Sequence, residues 1–152
     1  MSTLIIEKAK LKNLKDLIYL LFDDDLGKDR ENMSETSYNN YKKSFMKILN
    51  DSNNEIFIMI LNDQIIGMMQ LTFIPGLSME GMTRCQIESV RIKKDYRNKG
   101  YGSELIKKGI EIAKLNKCGL IQLTSNKERL KAINFYKNLG FLSTHKSFKL
   151  DL

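Results

Sequence analysis

The sequence predicts a mixed α/β fold, and three observations carry that expectation. Apolar residues recur in alternating blocks of strand period and helix period along the 152 residues. Two strand-like runs, Glu55–Leu61 and Gln64–Ile74, flank Asn62-Asp63, a two-residue hairpin signal. A third strand, a glycine-bearing turn, a helix and a fourth strand then follow between residues 82 and 124, the pattern of a strand–helix–strand crossover. The order that results is β-α-α-β-β-β-α-β-α-β, read as one domain over residues 1–152.

Thr3–Ala9 carries β-branched residues and reads as the first strand. Leu11, Leu14, Leu17, Ile18 and Leu21 repeat at helical spacing, and Asp23-Asp24-Asp25 with Gly27 should end that helix. Tyr38, Tyr41, Phe45, Ile48 and Leu49 form a second helical stripe, closed by the loop residues Asp51-Ser52-Asn53-Asn54. After the hairpin, Pro75-Gly76 ends its second strand, and a loop with Leu77, Ser78 and Met79 leads to a strand from about Met82 to Lys93. Alternation slips within it: Ile87 lies on one phase, Val90 and Ile92 on the other. That slip predicts a β-bulge near Glu88-Ser89.

The next helix presents Tyr101, Leu105, Ile106, Ile110 and Ala113 on one face and ends near Asn116. Gly119–Thr124 is a strand. Ser125-Asn126-Lys127-Glu128 fits a capping box for a helix bearing Leu130, Ile133 and Tyr136, with Gly140 at its C-cap. Leu142–Leu150 is expected to supply the last strand.

The most informative stretch is Arg97-Asn98-Lys99-Gly100-Tyr101-Gly102-Ser103, between a strand and a helix. The N–H groups that open a helix lack intrahelical partners and carry partial positive charge, so such a turn suits phosphate. Gly100 and Gly102 let the backbone approach an oxyanion closely, and Arg97 and Lys99 add cationic charge. Leu105 stands where the dinucleotide fingerprint needs a small residue, and Gly102-Ser103-Glu104 where the ATP loop needs Gly-Lys-Ser/Thr. Both of those motifs are excluded.

Two motifs in order give the turn its context. Arg97, Gly100 and Gly102 match Arg/Gln-x-x-Gly-x-Gly/Ala, and Ala132, Phe135, Tyr136, Gly140 and Phe141 match Ala-x-x-Phe-Tyr-x-x-x-Gly-Phe. The chain thereby resembles the GNAT superfamily, the GCN5-related N-acetyltransferases. The resemblance is specific over residues 86–141, and the element order extends it along the chain. It implies a mixed central sheet in which a parallel strand pair splays into a V-shaped gap for the acyl-pantetheine arm. It also implies amine acetylation by direct attack on the acetyl-CoA thioester in a ternary complex, with an alcohol acceptor or a longer acyl group left open.

On that resemblance, Arg97, Asn98, Lys99, Gly100, Tyr101, Gly102 and Ser103 would hold the phosphates, mostly through backbone amides. Backbone groups of Val90, Arg91 and Ile92 would pair with the pantetheine amides like an added strand. The Val90 amide would face the thioester oxygen, a role worth about 3–4 kcal/mol. Tyr136 matches the tyrosine that protonates the departing thiolate, or it fills a core position. Phe135 would pack, and Asn134 would reach the pantetheine or the adenylate. Glu88 is the candidate base, because freeing an alkyl ammonium at pH 7 costs about 4.6 kcal/mol; it would otherwise attract a cationic acceptor or lie on a solvated face. Arg129 replaces an asparagine frequent in the family and could reach a phosphate. Asp23, Asp24 and Asp25 would favour a cationic acceptor, or form a solvated helix end.

Composition narrows the remaining classes. Hydrophobic content of 42% and charged content of 28% fit a globular protein, and no apolar run nears the roughly 20 residues of a membrane span. The N-terminus is charged too soon for a signal peptide, so a cytoplasmic location is expected. Cys85 and Cys118 lack paired spacing and argue against a disulfide framework or a metal site, and His145 has no motif around it. The net charge of +7 is spread over scattered lysines and would attract the phosphates of CoA. A nucleic-acid-binding module is the remote alternative, and a CoA-binding sensor without turnover the nearer one. A homodimer is left open.

Overall fold

The computed structural model describes residues 3–152. Five strands form one sheet in the order β1-β2-β3-β4-β5: β1 (Leu4–Lys8), β2 (Asn54–Leu61), β3 (Gln64–Pro75), β4 (Thr83–Ile92) and β5 (Leu120–Leu123). Neighbours pair antiparallel except β4 and β5, which run parallel. The β2–β3 hairpin turns at Asn62 and Asp63, whose φ angles of 48° and 63° give the paired left-handed residues of a tight two-residue turn.

Helices α1 (Leu14–Phe22) and α2 (Glu35–Leu49) cover one face of the sheet, and α4 (Tyr101–Leu115) covers the other. Leu14, Leu17, Ile18, Leu20 and Phe45 pack with Ile56, Ile58 and Met68. Leu105, Ile106, Ile112 and Ala113 pack with Met59, Met69, Leu71, Phe73 and Ile87. Because both faces are buried, β2 and β3 read as nearly unbroken apolar runs rather than as alternating ones.

Tight backbone packing fixes the loop after α1. A Cβ at Gly27 would lie 2.1 Å from the Leu21 carbonyl oxygen, so no side chain fits there. The Gly27 N–H donates to Asp24 Oδ2 at 3.0 Å. Helix α5 (Leu130–Asn138) ends at Gly140 with φ +92°. There the Gly140 N–H bonds the Lys137 carbonyl and the Phe141 N–H that of Tyr136, a Schellman closure.

Several sequence expectations are corrected. Leu142–Leu150 forms no strand: the segment lies exposed without regular structure. Pairing of a strand depends on a distant edge that local composition does not specify. Ser125 does not cap α5. The Asn126 side chain accepts from the Glu128 N–H at 2.9 Å, making a local turn, and the helix starts only at Leu130. Leu130 and Leu49 are exposed rather than packed. Met79, also exposed, sits in α3 (Ser78–Gly81), a single turn whose Met79 and Glu80 are left-handed.

Candidate active site

The site begins with the slip in β4. Met68 pairs with Arg91 and Gln70 with Glu88, so one β3 residue faces two β4 residues, Ser89 and Val90. Ser89 takes φ 53°, the left-handed geometry of a bulge. The predicted bulge is therefore present. Beyond it β4 leaves β5: the parallel ladder runs from Arg84–Leu120 to Ile87–Leu123 and no further. Val90, Arg91 and Ile92 then line a cleft of about 580 Å³ instead of pairing with β5.

The floor and end of that cleft come from the start of α4. Gly100 holds φ +86° as its N-cap residue, and nothing lies within 4 Å of where its Cβ would be. A Cβ at Gly102 would meet Phe135 Cζ at 3.3 Å, so glycine lets α4 approach α5 closely. Asn98, Gly100, Gly102 and Ser103 line the cleft, as do Ala132, Phe135 and Tyr136 of α5. The groups a CoA pyrophosphate would need are thus gathered in one place. They are unpaired helix N–H groups, a side-chain-free approach and an unpaired strand edge, and they fit that ligand.

Arginines surround the same space. Arg97 Nε donates to the Ile92 carbonyl at 2.8 Å, and its Nη2 donates to the Asp23 carbonyl. Asp23 in turn accepts the Lys94 N–H at 2.9 Å. Arg97 therefore ties the end of α1 to the turn before α4, a role the sequence pattern did not reveal. Arg91 Nη1 donates to the Val90 carbonyl at 2.9 Å, its Nη2 lies 3.8 Å from Asp24, and its buried Nε has no partner. Arg129 holds Asp24 with both terminal nitrogens, Nη1 at 3.2 Å.

These contacts set the protonation states. Burial opposes ionisation of Asp24, but the Arg129 hydrogen bond and the charges of Arg91 and Arg129 outweigh it and hold the carboxyl below its usual value. Burial raises the Tyr136 hydroxyl above its ordinary value, and the same two arginines oppose part of that rise. Tyr136 is consequently a neutral phenol at physiological pH. Burial, helped by Cys118, pushes the Cys85 thiol up to about 12, so it stays an inert core group.

Not every sequence candidate converges. Lys99 lies outside the cleft, its Nζ 5.7 Å from the Tyr96 ring centroid, and Tyr101 packs against the core and the Tyr96 edge. Asn134 is exposed on α5 away from the lining. Glu88 is exposed on the strand phase opposite Ile87 and does not line the cleft either. Asp23 and Asp24 are engaged by arginines instead of standing free, while Asp25 is exposed, so the three carboxylates do not form one open cation trap. No spacing rule could have paired Asp24 with Arg129, 105 positions apart.

A sheet whose parallel strands part above a glycine-opened helix, with a tyrosine from the following helix in the gap, defines an acyltransferase of the GNAT type. The sequence matches the Acetyltransferase (GNAT) family over residues 14–141, and the chain belongs to that family. A chain from Bacillus halodurans, described as a transcriptional regulator, is 37% identical. It aligns over 99% of this chain and 100% of its own with a TM-score of 0.94. A GNAT family acetyltransferase from Staphylococcus aureus is 24% identical with a TM-score of 0.77 over 100% of both chains. A Clostridium acetobutylicum protein, described as a predicted acetyltransferase with acetyl-CoA, shares the fold at 19% identity, with a TM-score of 0.77 over 98% of this chain and 96% of its own. An uncharacterized N-acetyltransferase of Methanocaldococcus jannaschii is 39% identical over 56 residues, which are 37% of this chain and 25% of that relative's length.

Proposed function

We propose that residues 1–152 act as one N-acetyltransferase domain that moves an acetyl group from acetyl-CoA to an amine of a small molecule or protein. The observation that carries this reading is the parting of β4 from β5 after Ile87, directly above the Gly100–Ser103 helix start. The bound donor supplies an activated acyl thioester; the chain's own residues do the rest.

The N–H groups at the start of α4 hold phosphate charge, with Arg97 fixing the turn that presents them. Val90 and Ile92 offer backbone groups on the open side of β4, as a strand edge would to an added strand. The Val90 N–H stabilises negative charge on the thioester oxygen. Tyr136 Oη donates its proton to the leaving sulfur, and burial keeps that hydroxyl protonated until it is needed. Glu88, exposed beside the bulge, takes the ammonium proton through water rather than by contact.

Release of free thiol from acetyl-CoA, measured against a panel of amines, tests the reading. Amine-dependent thiol release supports it. Binding of acetyl-CoA without turnover on any amine would make the chain a CoA-binding sensor.

A further inference from the structure

We propose that the acceptor is a free α-amino acid, its carboxylate held by Arg91 and Arg129 and its amine presented to the thioester beside Glu88. The assignment names the acceptor class of the acetyltransferase proposed above and rests on that reading.

Charge at the inner end of the cleft does not balance. Arg91 and Arg129 share the single carboxylate of Asp24. Arg30 and Glu31, from the loop between α1 and α2, act on Arg91 with opposite signs and offset one another. Among the described residues one positive charge is left over. It lies on side chains only 15% and 28% exposed, where water screens it weakly. Arg91 shows the shortfall directly. Its Nη1 donates to the Val90 carbonyl, its Nη2 stands 3.8 Å from Asp24, and its buried Nε has no partner. A guanidinium so placed is costly until an anion answers it.

The N–H groups at the start of α4 already answer the donor's phosphates, and the arm from there to the thioester is uncharged. Arg91 and Arg129 lie by the leaving-group end, since their charges reach the Tyr136 hydroxyl. The thioester oxygen gains full negative charge only as the amine attacks, and the Val90 N–H answers it in the proposed mechanism. A standing anion at this end therefore belongs to the acceptor. One surplus positive charge matches a carboxylate better than a doubly charged phosphate.

A second pole lies on the same face of β4. Met68 and Gln70 alternate with Met69, which packs on the α4 side, so their partners Arg91 and Glu88 both face the other side. They sit two β3 positions apart, about 7 Å along the strand. In an α-amino acid one carbon joins the amine to the carboxylate. A carboxylate on Arg91 thus leaves the amine between the arginines and Glu88, with room for the water through which Glu88 takes the proton. Beyond Glu88 the face continues as Gln86 and Gln122, whose side chains are bonded at 2.9 Å and offer amide groups to the acceptor's side chain. A lysine side chain or a peptide N-terminus carries no carboxylate next to its amine and leaves the arginines unanswered.

Calorimetry with the common α-amino acids, on the full chain saturated with free CoA, tests this without turnover. Each acid is set against its carboxamide and its decarboxylated amine. At least one acid is expected to bind at least about tenfold more tightly than both of its partners, the margin of a charge-assisted hydrogen bond. Thiol release from acetyl-CoA should follow the same order, although the carboxamide has the less basic amine and so more free base at neutral pH. Arg91→Met is expected to bring the acid-to-carboxamide ratio near one, a change that a merely structural arginine would not produce. Carboxamides that bind as tightly as the acids, acids that do not bind, or a variant that keeps the wild-type ratio would each overturn the proposal. Turnover confined to amines without a carboxylate overturns it too and leaves the acetyltransferase reading standing. Selective binding of an acid with no thiol release keeps the site and removes that reading.

Discussion

Asp24, in the loop after α1, and Arg129, at the start of α5, close into a two-point ion pair across the cleft, 105 positions apart in sequence. The pair joins the two sides between which the acyl donor would thread, and Arg91 approaches the same carboxylate from β4. Two guanidinium groups share one carboxylate, so the inner cleft carries a net positive charge. That arrangement suits the negative charge of the donor's phosphates and of the thioester oxygen.

Replacing Asp24 by Asn should destabilise the fold by about 1–3 kcal/mol, because two partly buried guanidinium groups lose their anion. The folded carboxyl is held below its usual value. Its contribution is therefore fully present above about pH 4 and is lost as pH falls through the folded value. Thermal melts across the acid range should show the wild type losing its advantage over Asp24→Asn below that pH. Parallel curves at all pH values would remove the pair from the stability account.

Gly102→Val should raise the acetyl-CoA dissociation constant by at least about tenfold, or about 1.4 kcal/mol. The added side chain must either displace Phe135 or enter the cleft. The unliganded melting temperature should change little by comparison. An unchanged affinity would take the start of α4 out of the phosphate site.

Tyr136→Phe should lower kcat by about a hundredfold or more while leaving KM for acetyl-CoA nearly unchanged, as loss of a general acid predicts. With the wild-type hydroxyl pushed up by burial, activity should not fall from Tyr136 ionisation until pH exceeds about 10. A variant as active as the wild type would leave Tyr136 as packing against Phe135 and Phe141.

Glu88→Gln should cost much less than Tyr136→Phe, because the carboxylate is exposed and acts through solvent. A drop in kcat below about tenfold fits that placement. A loss equal to that of Tyr136→Phe would bring Glu88 to the reacting atoms.

The parts of the structure written in local periodicity were legible. The Asn62-Asp63 hairpin, the bulge at Ser89 and the Gly140 closure each follow from residues within one turn or strand. The bulge shows through because Ile87 and Val90, three positions apart, must face the same side of the sheet. Of the cleft lining, Gly100, Gly102 and Ser103 were legible in one turn, and Val90, Arg91 and Ile92 were expected from the family resemblance that the two motifs carry. The Asp24–Arg129 pair and the Arg97–Asp23 contacts were not legible, since tertiary folding alone brings those charges together. The last strand was misread because alternation reports a strand's faces and says nothing of which edge receives it.

Calorimetric titration of the protein with acetyl-CoA, with ATP and NAD as controls, tests the central claim most directly, because it requires no knowledge of the acceptor. The account predicts saturable one-site binding of acetyl-CoA that Gly102→Val weakens, with neither control competing. No heat and no competition at saturating acetyl-CoA would contradict it, leaving the parted strands and the glycine turn as structural features only.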